Sequence, residues 1–204
     1  MSEIATVAES QDRSLGDVAR ALRAGDRFLL TTHEGPDGDA LGSLLAMHQV
    51  LEQLGKDSVM FLAAKEFPLP VEYRFLPLEE VFHEPPVDVV DRVIVFLDCG
   101  NIDRMPVDFL QRDDAVVLNI DHHHDNTRFG TLNLVDTDAS CTAEIVYELA
   151  QLLEVRITPE MAAALPVELQ ALYPYQEVRG LGIPGEGLLS RFPIVSLTVC
   201  LPLL

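Results

Sequence analysis

Two kinds of hydrophobic spacing alternate along the chain. "SLGDVARALRAG", residues 14–25, repeats apolar positions three and four apart, which predicts an amphipathic helix closed by Gly25. "RFLLTT", 27–32, is a short apolar, β-prone run that ends at His33. "DALGSLLAMHQVLEQLG", 39–55, returns to the helical period through Leu41, Leu44, Leu45, Val50, Leu51 and Leu54, with Gly55 as its C-terminal cap. "SVMFLA", 58–63, reads as a second strand, and residues 64–90 are proline-rich and mixed. "RVIVFLDCG", "AVVLNID" and "TLNLVD" read as three more strands, the first ending on Asp98 and the second on Asp121. "SCTAEIVYELAQLLE" is a helix, and "TPEMAAAL" opens another with Thr158 as N-cap and Pro159 in the first turn.

Strands thus alternate with helices, and several strands are continuous apolar runs. This pattern predicts an α/β fold: a doubly wound, mostly parallel sheet with helices on both faces. In such folds ligands sit at the carboxyl ends of the strands. Here "LLTTH", "VFLDCG" and "LNIDHH" each place His or Asp just past a strand end, so three strands aim metal- and phosphate-binding side chains at one edge of the sheet. After about residue 165 the pattern breaks. Residues 166–204 hold five prolines and four glycines and keep no helical or strand period. The organisation expected is a domain over 12–165 followed by an atypical tail over 166–204.

Composition narrows the partners. Apolar residues make up 48% of the 204-residue chain, enough to bury a core. The formal net charge of -19 argues against a broad basic face for long duplex nucleic acid. It leaves room for a small anionic substrate, because divalent cations would add local positive charge. Cys99, Cys141 and Cys200 are widely spaced and form no disulfide framework or zinc ribbon. The first residues lack the basic-then-apolar pattern of a signal peptide, and "IVSLTVCLPLL" is too short to span a bilayer. The cytoplasm is therefore the expected compartment, with no membrane partner.

The candidate chemistry lies in three clusters. In "THEGPDGDALGS", His33, Asp37 and Asp39 follow an H-x-x-x-D-x-D spacing on a strand-to-helix turn, and the helix start offers backbone N–H groups to an anion. The plain alternative is a tight turn with an Asp N-cap. In "DCGNIDR", Asp98 could bridge two metals while Arg104 clamps a phosphate; taken alone, the pair reads more readily as a turn cap and a surface residue. In "IDHHHDN", His122 and His123 could supply a metal ligand and a substrate contact or proton donor, with Asp121 orienting a ring. His124 and Asp125 read as solvated loop. Imidazole with carboxylate suits Mn²⁺ or Fe²⁺, and all-oxygen sites suit Mg²⁺.

"HEGPDGDALGS", "DCGNIDR", "IDHHHDN" and "NLVDTDASCTAEIVYEL", in this order, resemble the Asp-His-His (DHH) family of phosphoesterases, in its RecJ-like branch of nanoRNases and pAp phosphatases. The resemblance implies a dinuclear manganese site, with Mg²⁺ as the substitute, and two-metal in-line hydrolysis of short oligoribonucleotides or 3'-phosphoadenosine 5'-phosphate. His33 and Asp37 would hold one metal, Asp39 and His122 the other, and Asp98 would bridge them. His123, Arg104 and Ser43 would contact substrate, and Ser140, Thr142 and Glu144 would give structural support. A homo-oligomer is compatible with this reading.

The chain departs from the family in two places. The family's further metal aspartate, in an Asp-Thr-Gly turn, has no counterpart, since no aspartate follows Asp138; Glu168 and Glu177 are the available substitutes. The family's glycine-rich second domain is also expected to be absent, and an altered reading frame would explain both departures. Two functions therefore stand side by side: a phosphoesterase, impaired if nothing replaces that ligand, and a non-catalytic metal- or nucleotide-binding remnant.

Overall fold

The computed structural model describes residues 11–12, 14–73, 76–105, 107–110, 112 and 114–164. The 166–204 tail, with Glu168 and Glu177, lies outside the described residues.

Among the described residues, six strands form one parallel sheet: β1 (Gln11–Asp12), β2 (Arg27–Thr31), β3 (Asp57–Met60), β4 (Val93–Leu97), β5 (Val117–Asp121) and β6 (Leu132–Val135). Four α-helices accompany them: α1 (Leu15–Ala24), α2 (Gly38–Gln53), α3 (Thr142–Leu152) and α4 (Pro159–Ala164). The spatial order is β1-β6-β5-β4-β2-β3. The α/β class and parallel sheet expected from the apolar runs are present. β1 was not anticipated, because two residues carry no period; it pairs with β6 at Gln11–Leu132 and Asp12–Asn133. β3 is shorter than "SVMFLA" suggests, because Phe61 leaves the ladder for an isolated bridge to Phe82.

Capping fixes the helix ends. Ser14 and Asp17 form a reciprocal capping box at the start of α1. Gly25 follows α1 in an extended conformation, φ -72°, so it is not there for a left-handed turn. A Cβ at this position would lie 2.5 Å from the Phe28 ring, so close packing demands the glycine. Gly55, at φ 72°, ends α2 differently. Its N–H donates to the Glu52 carbonyl and that of Lys56 to the Leu51 carbonyl, a Schellman closure that favours glycine.

The two faces of the sheet are covered unequally. Leu30, Val95, Leu97, Leu118 and Ile120 pack with residues of all four α-helices in the larger core. Leu29, Ile94, Phe96 and Val117 form a smaller core with Met105, Leu110 and connecting segments whose described residues carry only single-turn 3-10 helices. The right-handed crossover rule accounts for the division. Connections moving along the sheet toward β3 carry α1 and α2, whereas β4-to-β5 and β5-to-β6 run the other way and must cross the opposite face. With Leu29 and Leu30 both fully buried, β2 reads as a continuous apolar run instead of an alternation.

From β2 the chain passes through α2 to β3 on one side, then returns to β4 on the other. The carboxyl ends of β2 and β4 therefore flank a topological switch point, where open α/β sheets bind ligands. No helix among the described residues is long and apolar enough to cross a membrane.

Candidate metal centre

The switch point gathers the polar clusters. Asp98, immediately after β4, is 2% exposed and lies at its centre. Its Oδ2 is 3.6 Å from His33 Nε2, while its Oδ1 is 3.7 Å from His122 Nε2 and 3.6 Å from His123 Nδ1. Two groups of three donors that could hold a metal ion result: His33, Asp37 and Asp98, and Asp98, His122 and His123. Asp98 belongs to both. Its backbone is left-handed, φ 57°, a conformation that costs a non-glycine residue of order 1–2 kcal/mol and that Asp tolerates better than most. The cost is borne at the residue that both three-donor groups share.

Each imidazole is held by its other nitrogen or by a neighbour. His122 Nδ1 faces the Ala139 carbonyl at 3.4 Å, leaving Nε2 toward Asp39 and Asp98. His123 Nδ1 donates to Asp121 Oδ1 at 2.7 Å, so Asp121 orients His123 and not His122. Asp121 is itself fully buried and accepts from Asn126 Nδ2, which also donates to Asn119 Oδ1 at 2.7 Å. Asn119 Nδ2 in turn donates to the Cys99 carbonyl at 3.0 Å. His124 and Asp125 are exposed. Arg104 Nη2 lies 3.1 Å from His33 Nδ1, and the Glu34 N–H donates to the Arg104 carbonyl at 2.7 Å, which ties the first cluster to the second.

Asp37 and Asp39 take different places. Asp37 is exposed and caps α2, its Oδ1 accepting from the N–H groups of Asp39 and Ala40 at 3.0 and 3.1 Å. Asp39 reaches across to the start of α3. Its Oδ2 accepts from Thr142 N at 2.8 Å, and its Oδ1 accepts from Ala143 N at 2.9 Å and Ser43 Oγ at 3.2 Å. The N–H groups that the sequence offers to an external anion at α2 are therefore already taken by Asp37. Asp39 remains 3.7 Å from His122 Nε2, but it completes no three-donor group among the described residues. Ser43 is fully buried beneath it.

Charge in the cluster is uneven. Burial, and after it the negative charge of Asp98, push the Asp39 carboxyl up to about 8 despite the Thr142 and Ala143 N–H groups. Burial works against Asp98 as well, but the His33 contact and the positive character of His123, His33 and His122 outweigh it and hold the group below the usual carboxylate value. The hydrogen bond to Asp121 raises His123 to about 9 against the effect of burial. Three converging carboxylates, one driven toward its neutral form, are the electrostatic situation that a divalent cation relieves. Mixed imidazole and carboxylate donors suit Mn²⁺. The residues present thus fit a cation site.

Several participants escaped sequence reasoning. Asn119 carried the clearest signal, a polar residue inside the apolar run "VVLNID". Asn126 carried none beyond its nearness to the histidines, and the link from Thr142 to Asp98 spans 44 residues.

Residues 27–172 match the DHH family, N-terminal domain. The chain belongs to the DHH family. Among curated relatives, the bifunctional oligoribonuclease and PAP phosphatase NrnA of Thermus thermophilus is 37% identical over 150 residues, covering 71% of this chain and 43% of that protein. The NrnA of Bacillus subtilis, of the same description, is 29% identical over 133 residues, covering 65% of this chain and 41% of that one. The chain thus matches less than half the length of these relatives. An exopolyphosphatase-related protein from Bacteroides fragilis superposes with a TM-score of 0.67 at 19% identity, covering 83% of this chain and 57% of that one, which shows the shared fold.

Proposed function

We propose that this DHH-family chain is a cytoplasmic, metal-dependent phosphoesterase acting on short oligoribonucleotides or 3'-phosphoadenosine 5'-phosphate. The observation that carries the proposal is the position of Asp98, whose Oδ2 faces His33 and whose Oδ1 faces His122, so that one carboxylate lies between the two histidines. The names of the curated relatives supply the substrate class. His33 and Asp37 would hold one cation, His122 with Asp39 the other, and Asp98 would serve both. A pair of divalent cations, when bound, supplies an activated water and positive charge for the attacking and leaving oxygens of an in-line displacement.

The protein's own groups do the rest. His123 donates its Nδ1–H to Asp121, which raises the ring to about 9 and keeps it protonated, so Nε2–H is left to donate to a phosphate oxygen or to the leaving group. His33 Nδ1 cannot both donate to the Glu34 carbonyl, at 2.9 Å, and accept from Arg104. With Nε2 holding a cation, Nδ1 would carry the ring's proton and donate it in a hydrogen bond to the Glu34 backbone carbonyl. Arg104 would then lose that acceptor and its guanidinium would be free to meet a phosphate oxygen.

The test is Mn²⁺-dependent release of mononucleotide from a diribonucleotide, with inorganic phosphate release from 3'-phosphoadenosine 5'-phosphate in parallel. His122→Ala and Asp98→Ala are each expected to lower turnover by roughly 10²–10³-fold, the scale on which a single stabilising group acts. Mn²⁺ binding by the unaltered chain without turnover of either substrate would overturn the proposal and leave a metal-binding remnant.

A further inference from the structure

Thr142 is the first residue of α3 and is fully buried. Helices commonly begin with a side chain that caps their own N–H groups. Here Cys141, in the N-cap position, makes no such bond. Thr142 does not turn its hydroxyl to the helix either: Oγ1 donates to Asp98 Oδ1 at 3.0 Å. Its backbone N–H donates to Asp39 Oδ2 at 2.8 Å. One residue therefore bonds both carboxylates that flank His122 Nε2, at 3.7 Å from each.

The bond to Asp98 divides the carboxylate. Oδ1 is tied to the hydroxyl and stays on the side of His122 and His123, and Oδ2 is left toward His33. Without the tie, the groups left beside the carboxylate among the described residues are the imidazoles, at 3.6–3.7 Å and beyond hydrogen-bonding distance. A carboxylate that must present one oxygen to each of two donor groups needs a fixed plane, and buried hydrogen bonds around a site set such planes.

We propose that Thr142 is the positioning residue of this site, holding Asp98 by its hydroxyl and Asp39 by its N–H so that both face the His122 side. The inference rests on the cation reading above but not on turnover. Thr142→Val removes the hydroxyl and keeps the branched shape and the N–H; Thr142→Ser keeps the hydroxyl and removes the methyl. Mn²⁺ affinity and stoichiometry are read from the fall of the free-Mn²⁺ electron paramagnetic resonance signal in the full chain. Thermal unfolding without metal checks that each variant is folded.

The Val variant is expected to lose about 10–100-fold in affinity for one Mn²⁺, the usual cost of removing such a support, and Ser to stay within a few-fold of the unaltered chain. A folded Val variant with unchanged affinity overturns the proposal, as does a Ser variant that loses as much as Val. If Val does not fold, Ser against Thr142→Ala makes the same comparison, and equal affinity in those two overturns it. Failure of the unaltered chain to bind Mn²⁺ would overturn this inference and the cation reading together. Binding that follows the expected order without any turnover would sustain the inference and overturn only the phosphoesterase.

Discussion

Three side chains at the centre give the cation-free protein a defined response to pH. The Asp39 carboxyl, pushed up to about 8 by burial and the Asp98 charge, keeps its proton in the folded chain at pH values where the unfolded chain has released it. The folded state then holds more protons, so stability falls as pH rises from about 4 to 8. His123, raised to about 9 by Asp121, acts in the same direction: its contribution is full below about 6.5 and is lost as pH passes 9. Asp98, held below the usual value, works on the acid side, where its contribution disappears as it becomes protonated. The thermal midpoint of chelator-treated protein should therefore drop between pH 6 and 9. Asp39→Asn should flatten the slope below pH 8, and Mn²⁺ should reverse it, because cation binding favours deprotonated donors. A midpoint that rises steadily from pH 6 to 9 in the chelated protein would contradict this account of the cluster.

At the scale of elements, Gly25 shows how a local expectation can be right about place and silent about cause. Its position at the end of α1 was legible as punctuation, yet the residue is extended, and what requires it is the fully buried Phe28 ring. Gly25→Ala should destabilise the protein by about 1–3 kcal/mol through overpacking, measured by urea unfolding, with Mn²⁺ affinity unchanged. Gly55→Ala, in a left-handed position with open space around its Cβ, should cost about 1 kcal/mol. Equal costs at the two sites would mean that Phe28 yields more easily than its burial implies. The apolar runs at 27–32, 92–97 and 115–121 declared themselves as strands because a sheet buried on both faces needs no alternation. The two-residue β1 did not, since its place is set by the ladder to β6 alone. His33, Asp98 and His122 could be grouped from sequence because each follows a strand of one parallel sheet. The commitment of Asp39 to α3 could not, because nothing local marks a contact between residues 39 and 142.

Across the whole molecule, the two edges of the sheet do different work. The carboxyl edge concentrates carboxylates and imidazoles around Asp98. The amino edge is closed by Arg92, whose side chain is 6% exposed and whose guanidinium pairs with Asp57 at 2.9 and 3.0 Å and with Asp88 at 2.9 and 3.0 Å. It also donates to the Phe28 carbonyl at 3.1 Å, so one side chain joins the starts of β2, β3 and β4. Because all the strands run parallel, this clamp on β2, β3 and β4 and the cation cluster past β2, β4 and β5 lie at opposite ends of the two strands they share, β2 and β4. Arg92→Ala would leave the Phe28 carbonyl without this donor and leave Asp57 and Asp88 with only the more distant Arg27 guanidinium, at 3.9 and 3.5 Å, among the described residues. It should cost roughly 1–3 kcal/mol, less than a fully buried pair because Asp57 is half exposed. The site should scarcely notice, since backbone ladders along β2 and β4 carry the geometry from one edge to the other. The expected result is a lowered thermal midpoint with Mn²⁺ affinity within a few-fold of the unaltered chain. A variant that keeps its midpoint but loses the cation would show that the amino edge sets the spacing of β2 and β4 at the site, and that the two ends of the sheet do not act independently.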